Sequence, residues 1–263
     1  MNEIKAIFLD FDWTLFDHKV RNYNVKAIEG LNKVHKKGIK LIINSARSYY
    51  SLEKLKVFDL IPFDGFVTSN GALASYNNKE IYAYTFKDDL KDKILNYLNN
   101  TEHSFLLITK SKTYIKIRNK NIVDDFYKVY YEPFPLDISE YKNEDILAFQ
   151  VFLYENEEKD LKDFINNNHL FYNRFAENNA EITVKEFSKD EGIKAIIDES
   201  KFESNQIMAF GDDINDIPMF EYVKYGICLG NGKDEAKKHA YYVTDNIEND
   251  GIYNALQKFG LLD

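Results

Sequence analysis

The chain has 263 residues, of which 44% are hydrophobic and 29% charged, with a formal net charge of −9. That is enough chain to bury a large core in one domain or two. The acidic balance argues against a non-specific nucleic-acid binder and against docking on anionic lipid, because both need a basic face. No apolar run approaches the ~20 residues of a membrane span. The single cysteine, Cys228, excludes an internal disulfide and a multi-cysteine metal site. The N-terminus runs directly into an apolar stretch with no secretory pattern, so a cytoplasmic location is expected.

Ala6 to Leu9 reads as a short, fully buried strand, and Asp10 and Asp12 follow where it ends. A polar loop is expected from Asp17 to Asn24. Val25, Ile28, Leu31 and Val34 then recur at helical spacing, and Gly38 closes that helix. Ile39 to Ile43 is a second buried strand ending at Asn44-Ser45-Ala46-Arg47. Strand, helix, strand in one sheet implies parallel strands with a right-handed crossover. A helix over Ser48–Val57, a strand at Phe66–Thr68 ending at Ser69-Asn70-Gly71, and a hairpin from Leu73 to Phe86 complete this part.

From about Lys87 to Lys185 the pattern changes. Helices are expected over 90–98, 122–130 and 157–166, with strands at 104–109, 113–118, 146–153, 170–175 and 181–184. Strands in pairs with helices between them suggest an α+β domain with an antiparallel sheet. The parallel pattern then returns. A helix at Lys189–Glu199 is followed by a strand at Gln206–Phe210 ending in Gly211-Asp212-Asp213-Ile214-Asn215-Asp216. After it come a helix at 217–223, a strand at 226–229 ending in Gly230-Asn231-Gly232, and a final helix at 251–259. The expected architecture is α/β: a Rossmann-like parallel-sheet core, residues 1–86 and 186–263, interrupted by an inserted α+β cap at 87–185.

Several buried strands therefore end in polar residues: Asp10 and Asp12, Ser45, Asn70, Asp212 and Asp216, and Asn231. In open α/β sheets, ligands bind beyond the carboxyl ends of the strands. Four acidic groups without clustered cysteine or histidine suit a hard, oxygen-loving cation, and Mg2+ fits best. It takes one or two carboxylates and leaves room for a phosphate oxygen. Another carboxylate is then free to attack phosphorus. Lys189 could neutralise the nucleophile and a phosphate oxygen together, while Ser45 and nearby backbone N–H groups bind the remaining oxygens.

These residues resemble the haloacid dehalogenase superfamily. Asp10-Phe11-Asp12-Trp13-Thr14-Leu15 is similar to its first motif, Ser45 to the second, Lys189 to the third, and Gly211-Asp212-Asp213-Ile214-Asn215-Asp216 to the fourth. The insertion between Asn70 and Lys189 resembles the type-two cap of Cof-like sugar-phosphate phosphatases. The resemblance implies a Mg2+-dependent phosphatase acting on small phosphorylated metabolites, sugar phosphates among them. Asp10 is then the nucleophile and a metal ligand. Asp12 is the general acid and base, its backbone carbonyl a second ligand, and Asp212 is the third. Ser45 and Lys189 hold the phosphoryl group, with Asn215, Asp216 and Asn70 supporting metal or substrate. A phosphotransferase or phosphomutase of the same family is the nearest alternative. A phospho-acceptor or phosphometabolite-sensing module is a further one.

The chain departs from the family pattern in places. Trp13 stands where glycine is usual, either lining the crevice or packed in the core. Ala46 replaces the glycine of the T-G-R pattern, and Arg47 is expected to point outward into a salt bridge. Asn70 either takes a turn conformation or contacts substrate. The five histidines read as surface or helix-end residues, and nothing in the sequence fixes an oligomeric state.

Overall fold

The computed structural model describes residues 3–263, which fold into two compact units. The first contains the chain up to Arg47, Lys56–Tyr82 and Phe187–Asp263. Among the described residues its sheet has eight strands, in the order Tyr242–Val243, Tyr225–Cys228, Ile207–Gly211, Ala6–Leu9, Lys40–Asn44, Gly65–Thr68, Leu73–Tyr76 and Lys79–Ala83. The first six run parallel, and Leu73–Tyr76 turns back antiparallel to Gly65–Thr68. The expected parallel-sheet α/β core is thus borne out. Ala6–Leu9 lies between two parallel neighbours, which is why all four of its residues are apolar and buried.

Helices cover both sheet faces, as parallel crossovers require. Lys189–Ser200 turns Ile193, Ile196 and Ile197 onto Ala6, Phe8, Val67 and Ala209. It comes very close to the sheet at Gly192, where an added Cβ would lie 2.3 Å from a Val67 methyl. Only glycine permits that approach.

The expected helix over Ser48–Val57 is two short helices, Tyr49–Lys54 and Val57–Leu60, because Lys56 turns left-handed at φ +63°. The loop expected at Asp17–Asn24 contains a small hairpin in which Phe16–Asp17 pairs with Asn22–Tyr23. Strands of two residues are too short to show alternation. Aromatic packing fixes this pair: Phe11 stacks on Phe16 at 5.5 Å, and Tyr23 meets Phe16 edge-on at 5.2 Å.

The second unit contains Ser48–Leu55 and Ala83–Glu186. Its six-stranded sheet has the order Leu136–Asp137, Thr113–Lys116, Ser104–Thr109, Ile146–Phe152, Asn179–Thr183, Phe171–Ala176. The strands pair antiparallel apart from the short outermost one. Alternation along each strand divides the core. Phe105, Leu107, Phe149, Val151 and Ile182 meet Ile94 and Leu98 of helix Asp88–Asn99 and Leu161 and Ile165 of helix Lys159–Asn167. Leu106, Ile115 and Phe152 point the other way, against Ile122, Val123 and Phe126 of helix Lys120–Val129. No helix among the described residues is long and apolar enough to cross a membrane.

Candidate active site

Strand register brings the acidic residues together. Leu9 pairs with Phe210 on one side and with Ile43 on the other. The next residues, Asp10, Gly211-Asp212 and Asn44-Ser45, therefore leave the sheet side by side. The Asp10 N–H donates to the Phe210 carbonyl at 2.9 Å, extending the ladder by one bond and fixing the backbone beneath the carboxylate.

Carboxylate oxygens of Asp10, Asp212 and Asp216, all buried, lie within 4.8 Å of one another. Lys189, also buried, donates from Nζ to Asp10 Oδ1 at 2.5 Å and to Asp216 Oδ1 at 2.6 Å. Its helix start is tied down by the Asn44 side-chain amide, which donates to the Lys189 carbonyl at 3.0 Å. The other oxygen of Asp216 accepts the N–H groups of Asp212 and Asp213 at 2.9 and 3.0 Å. A Cβ on Gly211 would lie 2.4 Å from the Asp216 carboxyl carbon, so glycine there is what lets this carboxylate fold back over the loop. Asp216 is therefore a brace with both oxygens engaged. Thr14 donates its hydroxyl to Asp212 Oδ1 at 3.1 Å. Among the described residues, Oδ2 of Asp10 and Oδ2 of Asp212 accept no hydrogen bond.

One ammonium faces three carboxylates here. Burial first, and then the Asp216 and Asp12 charges, push Asp10 up to about 7 against the pull of Lys189. Burial with the charges of Asp10 and Asp216 pushes Asp212 up to about 9. Burial would lower the Lys189 ammonium, but Asp10 and Asp216 outweigh it and hold it charged. With all three carboxylates ionised the cluster would carry two negative charges in excess, and a hard divalent cation can take the place of the protons that otherwise neutralise them, bound by oxygen-only donors with two unengaged carboxylate oxygens. Asp10 and Asp212 can hold such an ion.

Asp12 sits in a different environment. Arg47 reaches it through Nε, at 3.1 and 2.9 Å to the two oxygens, and through Nη2 at 2.8 Å. His18 Nε2 lies 2.6 Å from Oδ1. Burial acts to raise the Asp12 pKa, but Arg47 and His18 outweigh it and hold the carboxyl down at about 2. The expectation that Arg47 points outward is corrected: its side chain is buried, with the guanidinium 5.1 Å from the centre of the Phe11 ring. The reading of His18 as a surface residue is corrected as well. No spacing in the sequence pairs residue 18 with residue 12, since only the hairpin brings them together. Arg47 was closer to hand, two residues beyond Ser45.

Ser45 is buried at the end of its strand, where its hydroxyl accepts the Arg47 N–H at 3.1 Å. Asn70 takes the turn conformation at φ +54°, with its amide donating to the Phe187 carbonyl at 3.2 Å. Asn215 is exposed on the loop that carries Asp216, and Asp213 pairs with Lys233 at 2.6 Å. Asn231 donates to the Trp13 carbonyl at 2.9 Å and accepts the Ile247 N–H at 2.8 Å. Trp13 itself adopts φ +57°, a left-handed conformation that costs a non-glycine residue about 1–2 kcal/mol.

The family model described as haloacid dehalogenase-like hydrolase matches residues 7–256. The chain belongs to this family. Its hydrolase relatives include YkrA of Bacillus subtilis (strain 168), named as a candidate phosphatase, 26% identical over 259 residues and 98% of each chain. The solved structure of BT4131, described as a subclass IIB sugar phosphatase, superposes with a TM-score of 0.76 at 27% identity, covering 98% of this chain and 99% of its own. BT1666 from Bacteroides thetaiotaomicron, described among the phosphatases of the superfamily, gives a TM-score of 0.79 at 25% identity over 98% and 96% of the two chains. The family assignment expected from the four motifs is thereby borne out.

Proposed function

We propose that this hydrolase is a Mg2+-dependent phosphatase that releases phosphate from small soluble monoesters, sugar phosphates among them, through an aspartyl-phosphate on Asp10. In this reading residues 1–86 and 186–263 carry the chemistry and 87–185 form the cap. The protein works in the cytoplasm, in keeping with its single, buried cysteine. The observation that carries the proposal is the Lys189 ammonium bridging Asp10 and Asp216 beside Asp212, one cation among three buried carboxyl groups.

Lys189 holds and orients the Asp10 oxygen that attacks phosphorus as the bond to the leaving oxygen breaks, which leaves the other Asp10 oxygen for the cation. Asp12, which takes up a proton from solvent as the substrate's phosphate arrives, gives that proton to the leaving oxygen. In the second half-reaction it takes a proton from the attacking water, and the bond between phosphorus and Asp10 breaks to release inorganic phosphate. Ionised Asp12, as Arg47 and His18 hold it, is ready for the base step. The doubly negative phosphate of an arriving substrate raises its proton affinity for the acid step. Asp10 and Asp212, with the Asp12 carbonyl, would hold Mg2+, which when bound would neutralise charge on the phosphoryl oxygens. Lys189 and the Ser45 hydroxyl bind the rest of that group.

The test is hydrolysis of p-nitrophenyl phosphate with Mg2+ and after chelation. Turnover that depends on Mg2+ and disappears in Asp10→Asn is expected. Undiminished turnover in Asp10→Asn sinks the proposal. Phosphate passed to an added sugar alcohol rather than to water assigns a phosphotransferase, and a phosphoenzyme that persists for hours assigns a signalling module.

A further inference from the structure

We propose that Trp13 is a specificity-determining residue for the leaving group, its indole stacking on a flat, apolar ring face of the alcohol bonded to phosphorus. The proposal rests on the phosphatase reading above and narrows its substrate class. It starts from a conflict. Trp13 holds a left-handed backbone at φ +57°, which glycine adopts without strain, yet the position carries the largest side chain available. The local hydrogen bonds do not need that side chain. The Trp13 N–H donates to the Phe16 carbonyl at 2.9 Å and its carbonyl accepts from Asn231 at 2.9 Å, both through backbone atoms that glycine also has. Nor is the indole there to fill the core, since the residue is 37% exposed. Backbone strain maintained around a side chain that packs on His18 but stays partly open to solvent points to function.

The position of the ring says which function. The indole and the His18 imidazole lie 5.1 Å apart, tilted by 39°. His18 Nε2 is in turn 2.6 Å from Asp12. The indole is thus one imidazole away from the carboxylate that must protonate the leaving oxygen. A leaving group placed for that proton transfer has its first carbons beside the His18–Trp13 pair. An exposed indole offers them a broad apolar face. An aromatic ring and the C–H face of a saturated ring share the required chemistry, whereas a short acyclic alcohol cannot cover the indole.

Trp13 is the only tryptophan in the chain, so its fluorescence reports directly on anything that stacks there. Phosphonates, which bind like phosphates but cannot be hydrolysed, serve as probes of the Mg2+-loaded protein: methyl-, cyclohexyl- and phenylphosphonate. We expect both ring-bearing probes to shift or quench the emission at saturation and methylphosphonate to leave it nearly unchanged. The tighter of the two ring probes assigns an aromatic or a saturated substrate ring. By calorimetry, the preference for the ring probes over methylphosphonate should shrink about tenfold in Trp13→Gly, equivalent to ~1.4 kcal/mol. Trp13→Phe should recover most of it. Glycine suits the backbone at this position, which keeps the variant folded. Binding of all three probes with a preference unchanged in Trp13→Gly, or with emission unmoved by saturating ring probe, overturns the inference alone. Binding of none of them in the presence of Mg2+ overturns the phosphatase reading and the inference together.

Discussion

Each unit of the chain buries carboxylate against cations, with opposite balances. In the second unit Glu158, 2% exposed, accepts from Arg174 Nε, the Tyr172 hydroxyl and Lys162 Nζ, each at 2.7 Å. Burial alone would raise its pKa, but Lys162, Tyr172 and Arg174 reverse that and hold it below the ordinary range. In the first unit three carboxylates share one ammonium, and Asp10 and Asp212 are driven up instead. A buried charge is tolerated when it is matched, and Glu158 is matched by protein. The Asp10 cluster lacks matching protein cations, so protons or a bound cation must neutralise it. One arrangement is balanced within the protein and the other is not, and the proposed metal site rests on that imbalance.

That contrast can be broken or sharpened by experiment. The largest effect is expected from Asp10→Asn, which should lower kcat by on the order of 10³-fold or more while leaving circular dichroism unchanged. Arg47→Leu should lower kcat about 10–100-fold with little change in KM, since it releases Asp12 from charge-assisted bonds worth ~1.5–3 kcal/mol. Arg47→Lys should recover little, because it lacks the guanidinium fork.

Mg2+ at about 100 times its Kd should stabilise the wild type by ~2.7 kcal/mol in thermal melts. Asp212→Asn should abolish that rise, yet melt no lower than the metal-free wild type, because a neutral amide replaces a carboxyl that the metal-free site already holds protonated at neutral pH. A lower melting temperature for metal-free Asp212→Asn would show that Asp212 is not held protonated there.

Glu158→Gln should give the smallest effect, a loss of about 1–3 kcal/mol at neutral pH with catalysis intact. The folded-state pKa of Glu158 lies below its ordinary 4.5, so its contribution is complete above about pH 4.5 and disappears as pH falls through the folded value. Wild type and Glu158→Gln should therefore converge in stability in acid, and a gap that stays constant with pH would rule out charge pairing as the source.

Much of the fold was legible in the sequence because its signals are local. Four-residue apolar runs such as Ala6–Leu9 admit little besides a buried strand, and polar residues just beyond them mark strand ends. Asp10, Ser45 and Asp212 could be picked out for that reason, and Lys189 because it opens the helix that follows the inserted unit. The inserted unit was legible as a change of rhythm from alternating strand and helix to paired strands. The hairpin at residues 16–23 was not legible, since its pairing is two residues long and held by rings from Phe11, Phe16 and Tyr23.

The sequence by itself determined the order of elements and which side chains leave each strand end, because burial on both faces and chain direction are written in runs of a few residues. Only the tertiary structure decided which charges meet. It turned Arg47 inward onto Asp12, set His18 beside them, and folded Asp216 back to brace a loop. It also stood Trp13 in a strained, exposed position next to Asp12. Those outcomes depend on strand register and on approaches of a few ångströms between residues far apart in the chain, and Coulomb energies change steeply over such distances.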